Sequence, residues 1–304
     1  MDKIIKEVLD EIKELDMNYS AFNLRVNGKL VDRKSSDEIK IESKKDKSGI
    51  DIFITNNTQN KSLHIPVIIT ESGLSDLVYN DFYVGDNCNI TIVAGCGIHN
   101  CGENSNSHNG IHSFHIGKNS NVRYIEKHIG LGNKESIKIL NPTTKITLKQ
   151  NSKMIMETTQ VSGVSFANRK SNAILYKNAK LIIKEKILTT KDEIAKTNFL
   201  VTLKGENSSA EVVSRSVAKD NSSQNFESTL IGKNNCFGRV ECDGILTDNA
   251  KIFSSPRIKA ENVNSSLTHE AVIGKIAGEE LIKLQTLGLS KQEAENEIIN
   301  GFLK

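Results

Sequence analysis

The side chains with the clearest chemical potential lie in the last third of the chain, in the segment CFGRVECDGILTDNAKIFSSPRIKAENVNSSLTHEA. Cys242 lies in a strand-like run, and His269 and Glu270 follow a polar loop where the pattern predicts the start of a helix. Thiolate, imidazole and carboxylate are side-chain groups that bind transition metals such as iron. The pair follows the cysteine by 27 and 28 residues, about one period of the repeat described below. We therefore expect the three residues to be neighbours and candidate metal ligands.

A second segment, CGIHNCGENSNSHNGIHSFH, concentrates cysteine and histidine residues. Its spacing does not match that of a zinc ribbon or zinc finger. His112 and His115 are three residues apart in a predicted strand, so we expect them to face opposite sides of a sheet. The segment thus argues against a tight structural metal site. It leaves open a labile site or a sulfur-accepting cysteine, with Cys96, Cys101 and His112 as candidates.

Strand-like runs joined by a recurring polar motif extend from about residue 63 to about residue 260. In each motif an aliphatic residue and one to three polar or glycine residues precede an asparagine, which suits left-handed turn conformations. The asparagines are Asn87, Asn119, Asn151, Asn178, Asn207, Asn234 and Asn249. A period near 30 residues indicates stacked repeats, because one unit cannot bury its apolar face alone. Short strands and asparagine turns favour a β-solenoid, with a β-sandwich as the alternative.

The two ends of the chain have helical patterns. Residues 3–15 place apolar side chains on one helical stripe. At the other end, Gly288 predicts the end of one helix, and a capping box from Ser290 to Glu293 predicts the start of another. The chain thus divides into an N-terminal helix and irregular β region (1–60), a β-solenoid core (61–265) and a C-terminal helix-turn-helix (266–304).

Composition excludes several classes of function. The net charge is +3, with no block of Lys or Arg, so nucleic-acid binding has no support. The N-terminus carries acidic residues and no apolar run, so we expect no signal peptide. No apolar stretch is long enough for a membrane helix. Five cysteines, an odd number, without an export signal predict a cytoplasmic protein with reduced thiols.

Several motifs resemble one known family. They are CDxxL at Cys242, HEA at His269 followed by IGKIxxEEL, and the closing GLSxxEAxxxIINGF. Upstream, AGC at residues 94–96, HSFHIGKNSNVRY and NSKM at residues 151–154 fit the same family in order. Together these segments resemble the core domain of the SufB/SufD proteins over roughly residues 60–303.

The resemblance implies a right-handed parallel β-helix with flanking helices, acting as a non-catalytic scaffold for iron–sulfur cluster assembly. It maps the family's cluster ligands onto Cys242, Glu270 and His269. A SufB–SufD complex divides these ligands between two subunits, whereas this chain carries all of them. A homodimer paired through the β-helix is therefore expected, with a SufB/SufD-type heterodimer as the alternative. Mixed ligation would make the cluster labile and often absent from the isolated protein.

The resemblance also implies partners. A SufC-type ABC ATPase would dock on the C-terminal helices, where Ile276, Leu281 and Leu284 form an apolar seam. The chain has no GxxxxGK[ST] phosphate loop, so ATP hydrolysis belongs to that partner. Sulfur would come from a cysteine desulfurase or sulfur carrier. The cluster type, the sulfur donor and the participation of a flavin stay open.

One departure from the family concerns sulfur acceptance. SufB proteins carry a cysteine just before the NSKM segment, where this chain has KITLKQ. Cys96 and Cys101 are the candidates for that role. Two rival functions are a β-helix binding or polysaccharide-active protein, and a metal protein with tight zinc in segment 96–115. The missing export signal and the scarcity of aromatic residues argue against the first rival.

Overall fold

The structure, a computed structural model, describes residues 3–12, 18–133, 135–160 and 163–304. Strands dominate this part of the chain, and its helices lie at the two ends. The first ten strands are β1 (Ala21–Val26), β2 (Lys29–Lys34), β3 (Ile39–Ser43), β4 (Gly49–Ile54), β5 (Gln59–Ile69), β6 (Ser75–Val84), β7 (Asn89–Asn100), β8 (Asn106–Ile116), β9 (Asn121–Gly132) and β10 (Lys138–Leu140). The later strands are β11 (Thr143–Leu148), β12 (Lys153–Gln160), β13 (Phe166–Leu175), β14 (Lys180–Thr189), β15 (Ile194–Leu203), β16 (Ser208–Ala218), β17 (Ser223–Gly232), β18 (Cys236–Leu246), β19 (Lys251–Ala260) and β20 (Ser265–Lys275). The helices are α1 (Lys3–Ile12), α2 (Gly278–Thr286) and α3 (Lys291–Phe302).

The strands form two sheets that the chain visits alternately. Sheet A has the order β2-β1-β5-β7-β9-β12-β14-β16-β18-β20, and sheet B runs from β3 through β4, β6, β8, β10, β13, β15 and β17 to β19, with β11 beside β8 and β13. All pairs are parallel except β1–β2 and β3–β4 at one end. The chain therefore winds as a β-solenoid of about eight turns, which confirms the predicted fold and excludes the sandwich.

The interior lies between the two sheets and is filled by alternate residues of each strand. In β14, for example, Leu181, Ile183, Glu185 and Ile187 are buried while the residues between them are less buried or exposed. This alternation is the period-two pattern of a strand with one face in the core. Because parallel neighbours are in register, inward positions line up along the solenoid. One apolar cluster thus extends from Ala21 to Cys242.

One corner of the solenoid is built from an asparagine ladder. Asn87, Asn119, Asn151, Asn178 and Asn207 have φ angles between 55° and 58°, in the left-handed region. Each of the first four donates its side-chain amide to the asparagine one turn earlier, over 2.8–3.2 Å. Asparagine tolerates this backbone conformation better than most residues. The predicted turn role of these five asparagines is confirmed.

Asn234 and Asn249 lie in turns between strands, as predicted, but neither takes the left-handed conformation. Asn234 does not adopt the left-handed conformation, and at this turn Asn235 donates to Asn207 over 3.5 Å. Asn249 belongs to a different corner, where Asp248 takes the left-handed conformation with a φ of 55°. Aspartate tolerates this region for the same reason as asparagine. The spacing from Asn234 to Asn249 is about half the other spacings because these two asparagines lie at different corners, not because one turn of the solenoid is shorter.

Helix α1 packs on the outer face of sheet A, against Gly95 and Gly97 of β7. Its Val8 and Ile12 are fully buried. A Cβ atom on Gly97 would lie 2.0 Å from Val8 Cγ1, and one on Gly95 would lie 2.9 Å from Ile12 Cβ. The two glycines therefore permit close contact between helix and sheet. The N-terminal helix is confirmed over residues 3–12, and the predicted stripe residue Leu15 lies outside the described residues.

The C-terminal helices follow β20. The capping box is confirmed: Glu293 N donates to Ser290 Oγ over 3.3 Å, and Ser290 N donates to Glu293 Oε2 over 2.8 Å. Gly288 has a φ of 97° at the end of α2. The expected helix start at His269 and Glu270 is wrong, because both residues lie in β20, which pairs with β18 along its full length.

The predicted region boundaries both fall inside strands. Residues 60 and 61 lie in β5, and residues 265 and 266 lie in β20. Strands β1 and β4, from the predicted N-terminal region, pair in parallel with β5 and β6. The stacked strands therefore begin before residue 61 and end at Lys275. Among the described residues, no helix is long and apolar enough to cross a membrane.

We expect Asn119→Ala to lower the free energy of unfolding by about 2 kcal/mol, for two reasons. Alanine tolerates the left-handed region less well than asparagine, and the substitution removes two hydrogen bonds of the asparagine ladder. Asn119→Gly keeps the backbone freedom and should cost less. Equilibrium urea unfolding measures both, with Asn121→Ala, at an exposed strand residue, as the control. Equal losses for the alanine and glycine variants at position 119 would contradict the backbone argument.

Candidate functional site

The C-terminal end of the solenoid is open. Its last strands are β19 and β20, and among the described residues no further turn of the solenoid covers their inward positions. Ile258 is 45% exposed, whereas its in-register neighbour Leu230 is 1% exposed. Ile273, also inward, is 37% exposed. The opposite end is different: the charged hairpin strand β2 (KLVDRK) forms its edge in sheet A. The open end thus presents apolar interior side chains and two unpaired strand edges.

Cys242 lies one strand below this end. It is an inward residue of β18, fully buried, and pairs in register with Ser214 of β16 and Ala271 of β20. Burial raises the pKa of its thiol to about 11. Ser254 of sheet B lies beside the thiol and offsets part of this shift. In the isolated chain Cys242 is therefore a protonated thiol at neutral pH.

His269 lies on the terminal strand itself. It pairs in register with the inward residue Val240, so it faces the interior like Cys242. Burial lowers the pKa of the imidazole, partly offset by the neighbouring Glu270. Its Nε2 is buried and has no hydrogen-bond partner among the described residues. A neutral imidazole with a free nitrogen is a competent metal ligand.

Glu270 points the other way. Its carboxylate accepts a hydrogen bond from Arg239 Nη2 over 2.8 Å, and the same nitrogen donates to Glu241 over 2.9 Å. This cluster lies on the outer face of sheet A, and the Glu270 side chain is 62% exposed. The expected neighbourhood of Cys242, His269 and Glu270 on adjacent strands is thus found. The three side chains do not share a face, because consecutive strand residues alternate in direction.

The second predicted group is divided between the solenoid interior and the surface. Cys96 faces the interior from β7 and is buried, and burial raises the pKa of its thiol well above the usual value. Cys101 lies in the loop after β7 and is exposed, with its Sγ 4.0 Å from His99 Nε2. His112 is buried and His115 is exposed, on opposite faces of β8 as predicted. Cys101 is thus accessible to solvent, whereas Cys96 is not.

The predicted docking seam is only partly accessible. Leu281 and Leu284 of α2 and the preceding Ile276 are half-buried. The exposed apolar residues of this region are instead Ile282 and Leu287, at 61% and 80% exposure. Helix α3 rests on sheet A, where Lys186 Nζ donates to the Lys304 carbonyl and Lys219 pairs with Glu295 over 2.8 Å. This contact leaves α2 displayed on the surface.

Sequence reasoning missed a buried ionic cluster inside the solenoid. Glu126, His128, Arg169 and Glu185 are each at most 4% exposed. Arg169 donates to Glu126 Oε2, and its Nη2 lies 3.2 Å from His128 Nδ1. Its Nε lies 3.6 Å from Glu185 Oε1. The two-residue period of a strand could have revealed these residues from the sequence, because each lies an even number of positions from inward residues of its strand.

The ionic cluster sets the charge states of its members. Burial opposes ionisation of Glu126, but Arg169 outweighs it and holds the pKa of that carboxyl well below its usual range. Burial lowers the pKa of His128 to about 3, so this ring is neutral at pH 7. For Glu185, burial prevails and raises the pKa. Glu185 also accepts a hydrogen bond from Ser214, the in-register neighbour of Cys242, over 2.9 Å.

No group of three or more His, Cys, Asp or Glu side chains within residues 3–12, 18–133, 135–160 and 163–304 is already arranged to hold a metal ion. The candidate ligands at the open end, Cys242 and His269, are two inward donors beside an uncovered edge. Two donors are too few to hold a metal ion by themselves, so the described residues do not form a complete metal site at this end.

We expect Arg169→Met to lower the free energy of unfolding by about 3–5 kcal/mol, because it leaves Glu126 and Glu185 buried without their cation. Arg123→Met is the matched control, since it breaks an exposed pair with Glu157 and should cost less than about 1 kcal/mol. Chemical denaturation measures both. Similar decreases in the free energy of unfolding for the two variants would show that burial does not govern the contribution of the ionic cluster to stability.

We expect brief treatment of the native protein with iodoacetamide near pH 8 to modify Cys101 alone, because the other four cysteines are buried. Cys242 is protected twice, by burial and by its raised pKa. Peptide mass spectrometry locates the modification, and Cys101→Ser should leave the native protein unlabelled. Equally rapid labelling of Cys242 would mean that the open end does not shield its thiol.

Comparisons with known proteins point to one family. The family model for the SUF system FeS cluster assembly, SufBD core domain, matches residues 71–302. An iron–sulfur cluster assembly SufBD family protein of Methanothermobacter thermautotrophicus is 28% identical over 242 residues, covering 78% of this chain and 57% of that protein. This chain thus spans little more than half the length of that relative.

Two further SufBD family proteins show similar identity over more of their length. The relative in Methanocaldococcus jannaschii is 27% identical over 244 residues, covering 79% of this chain and 76% of that protein. The one in Pyrococcus horikoshii is 27% identical over 319 aligned positions, covering 98% of this chain and 93% of that protein. Since the family model spans most of the solenoid and both C-terminal helices, the chain belongs to the SufB/SufD family of iron–sulfur cluster assembly proteins.

Proposed function

We propose that this chain is a non-catalytic scaffold on which a labile iron–sulfur cluster is built at the open end of the solenoid, where a second SufB/SufD-type chain covers it. The observation that carries the proposal is the uncapped end next to Cys242 and His269. Repeat proteins need capped ends to stay soluble. Exposed interior residues such as Ile258 therefore favour a partner at this end.

The partner is a second copy of this chain, with a SufB/SufD heterodimer as the alternative. Two open ends that meet would bury Ile258 and Ile273 of each chain and pair the free edges of β19 and β20. Strand addition of this kind supplies main-chain hydrogen bonds, and the buried apolar residues supply stability. Self-complementary contact is the usual basis of a twofold dimer.

Such an interface would supply the donors that one chain lacks. Cys242 provides thiolate, the soft ligand that iron and sulfide favour, and His269 provides a free Nε2. Glu270 joins only by leaving Arg239, a contact it makes at the surface. Iron and sulfide are the cargo of this site. Ligation by imidazole and carboxylate besides thiolate would favour release of the finished cluster.

An ABC ATPase of the SufC type would dock on the C-terminal helices. The exposed Ile282 and Leu287 of α2, together with the half-buried Ile276, Leu281 and Leu284, supply the apolar contacts. Because α3 is fixed to sheet A, force on α2 would reach the solenoid through the Lys219–Glu295 pair. ATP hydrolysis belongs to this partner, and the five free cysteines suit a reducing cytoplasm.

Cys101 is the proposed sulfur acceptor. It is the exposed cysteine, and His99 lies beside it. A persulfide on a cysteine desulfurase or sulfur carrier would transfer its terminal sulfur to the Cys101 thiolate and leave as a thiolate. Buried Cys96 would be out of reach of a protein donor.

Anaerobic reconstitution with iron and sulfide tests the cluster site. We expect the wild type to load an oxygen-labile cluster, with thiolate-to-iron absorbance in the visible range, and Cys242→Ser to lose most of it. Cys236→Ser is the matched control, because this cysteine is also buried and inward in β18. Normal loading of Cys242→Ser, in the presence of the ATPase partner, would overturn the proposed site.

Sedimentation analysis tests the interface. We expect Ile258→Glu and Ile273→Glu to convert a dimer into monomers and to reduce cluster loading, because each places a charge at an apolar contact. Ile194→Glu, an exposed residue on the outer face of sheet B, is the control and should leave both unchanged. A dimer that survives both substitutions would place the interface elsewhere.

A further inference from the structure

Two histidines in the solenoid interior converge on one point. His108, Gly110 and His112 are successive inward residues of β8. A Cβ atom built on Gly110 would lie 3.1 Å from His108 Nε2 and 3.0 Å from His112 Nε2. The two nitrogens are therefore at most about 6 Å apart and flank the space that a side chain at Gly110 would fill. Glycine keeps that space open.

The hydrogen bond of His108 is made by Nδ1 and leaves Nε2 facing the space at Gly110. Its Nδ1 lies 3.2 Å from Asp76 Oδ2, and Arg25 Nη2 donates to the other oxygen of this carboxylate over 2.7 Å. A carboxylate paired with a guanidinium accepts hydrogen bonds, so Nδ1 is the donor. A carboxylate that orients a histidine in this way is typical of metal-binding imidazoles.

The hydrogen bonds of His112 lead to the same tautomer. Tyr124 donates its hydroxyl proton to Glu126 Oε1 over 3.0 Å. The hydroxyl therefore accepts from His112 Nδ1, which lies 3.1 Å away. The Nε2 atom of this ring makes neither of these contacts and faces the space at Gly110. Both histidines thus direct the nitrogen opposite their hydrogen-bonded Nδ1 at the space above Gly110.

The space is a small cavity of about 10 Å³, roughly the size that one water molecule or one ion occupies. His108, His112 and Cys96 are among the residues on its wall. The hydrogen bonds to Asp76 and Tyr124 engage the Nδ1 atoms of the two rings and leave the Nε2 atoms facing this space. Two imidazole nitrogens that face one small cavity suit an occupant that accepts electron pairs or donates hydrogen bonds.

We infer that this cavity, here called the β8 histidine site, binds a single transition-metal cation of the class of Fe²⁺, Co²⁺ and Zn²⁺ through His108 Nε2 and His112 Nε2, with Cys96 as the third protein ligand. Imidazole and thiolate suit these ions. No three donors are preassembled, so the Cys96 side chain turns toward the ion and its thiol loses a proton on binding. Asp76 and Tyr124 are the positioning residues.

The β8 histidine site goes beyond the proposed function, since it lies in a different part of the solenoid from the open end. In sheet B, β8 is separated from the terminal strand β19 by β10, β13, β15 and β17. A metal bound there would stay with the chain when a cluster leaves Cys242. The two sites can therefore be tested independently.

The test is cobalt loading of the full-length chain. The wild type and variants are produced with Co²⁺ in the medium, so that the ion is present while the buried site forms, and are then treated with a mild chelator. Metal analysis gives the stoichiometry, and visible absorbance reports thiolate ligation. Gly110→Ala is the decisive variant, because its methyl group occupies the ion's place while both histidines remain. His115→Ala, on the opposite face of the same strand, is the control.

We expect one Co²⁺ per chain in the wild type and His115→Ala, with thiolate-to-cobalt absorbance, and at least a tenfold weaker retention in Gly110→Ala and His108→Ala. Cys96→Ser should lose the thiolate absorbance. Circular dichroism and thermal unfolding show whether each variant is folded. If a histidine variant is unfolded, Gly110→Ala decides the test. Cys242→Ser should retain this cobalt even though it fails to load a cluster. Absence of cobalt from the wild type, equal retention by Gly110→Ala, or loss from Cys242→Ser would overturn the inference.

Discussion

In-register stacking of parallel strands is the constraint on which the rest of this structure depends. Each strand takes its register from the turn before it, so inward positions stay inward along each sheet. The asparagine ladder maintains this stacking at one corner, because each amide bonds to the asparagine of the previous turn. Any turn is then complete only when another covers it. Among the described residues the final turn has no such cover, so inward side chains such as Ile258 stay exposed.

The same constraint explains why a solenoid can hold charge in its interior. A parallel stack places inward residues of neighbouring strands about 5 Å apart, and the two sheets face each other across a narrow core. Glu126, Arg169 and Glu185 use this proximity to pair without water. Burial of these groups is costly unless every member is paired. The polar interior continues through Ser214 to Cys242, so the thiol at the open end adjoins a polar core, not a purely apolar one.

Burial also gives the five cysteines different reactivities. Cys101 meets solvent, whereas Cys96 and Cys242 are held as neutral thiols by the low dielectric around them. A neutral buried thiol is resistant to casual oxidation, and it becomes a ligand only when a cation displaces its proton. Access and charge therefore separate one thiol that solvent reaches from two thiols that are held neutral inside the fold.

The sequence by itself determined the repeat, the asparagine turns, both terminal helices and the family, since these depend on local pattern and on motifs. It also placed His269 and Glu270 one turn from Cys242, because their separation equals the repeat period. Only the tertiary structure decided which way the side chains of His269 and Glu270 point. His269 and Glu270 lie in a strand, because β18 provides a full-length template, and consecutive strand residues face opposite sides. The partners of Arg169 and the convergence of His108 and His112 above Gly110 depend on contacts between residues distant in sequence or on exact rotamers. Local pattern carries no information about either.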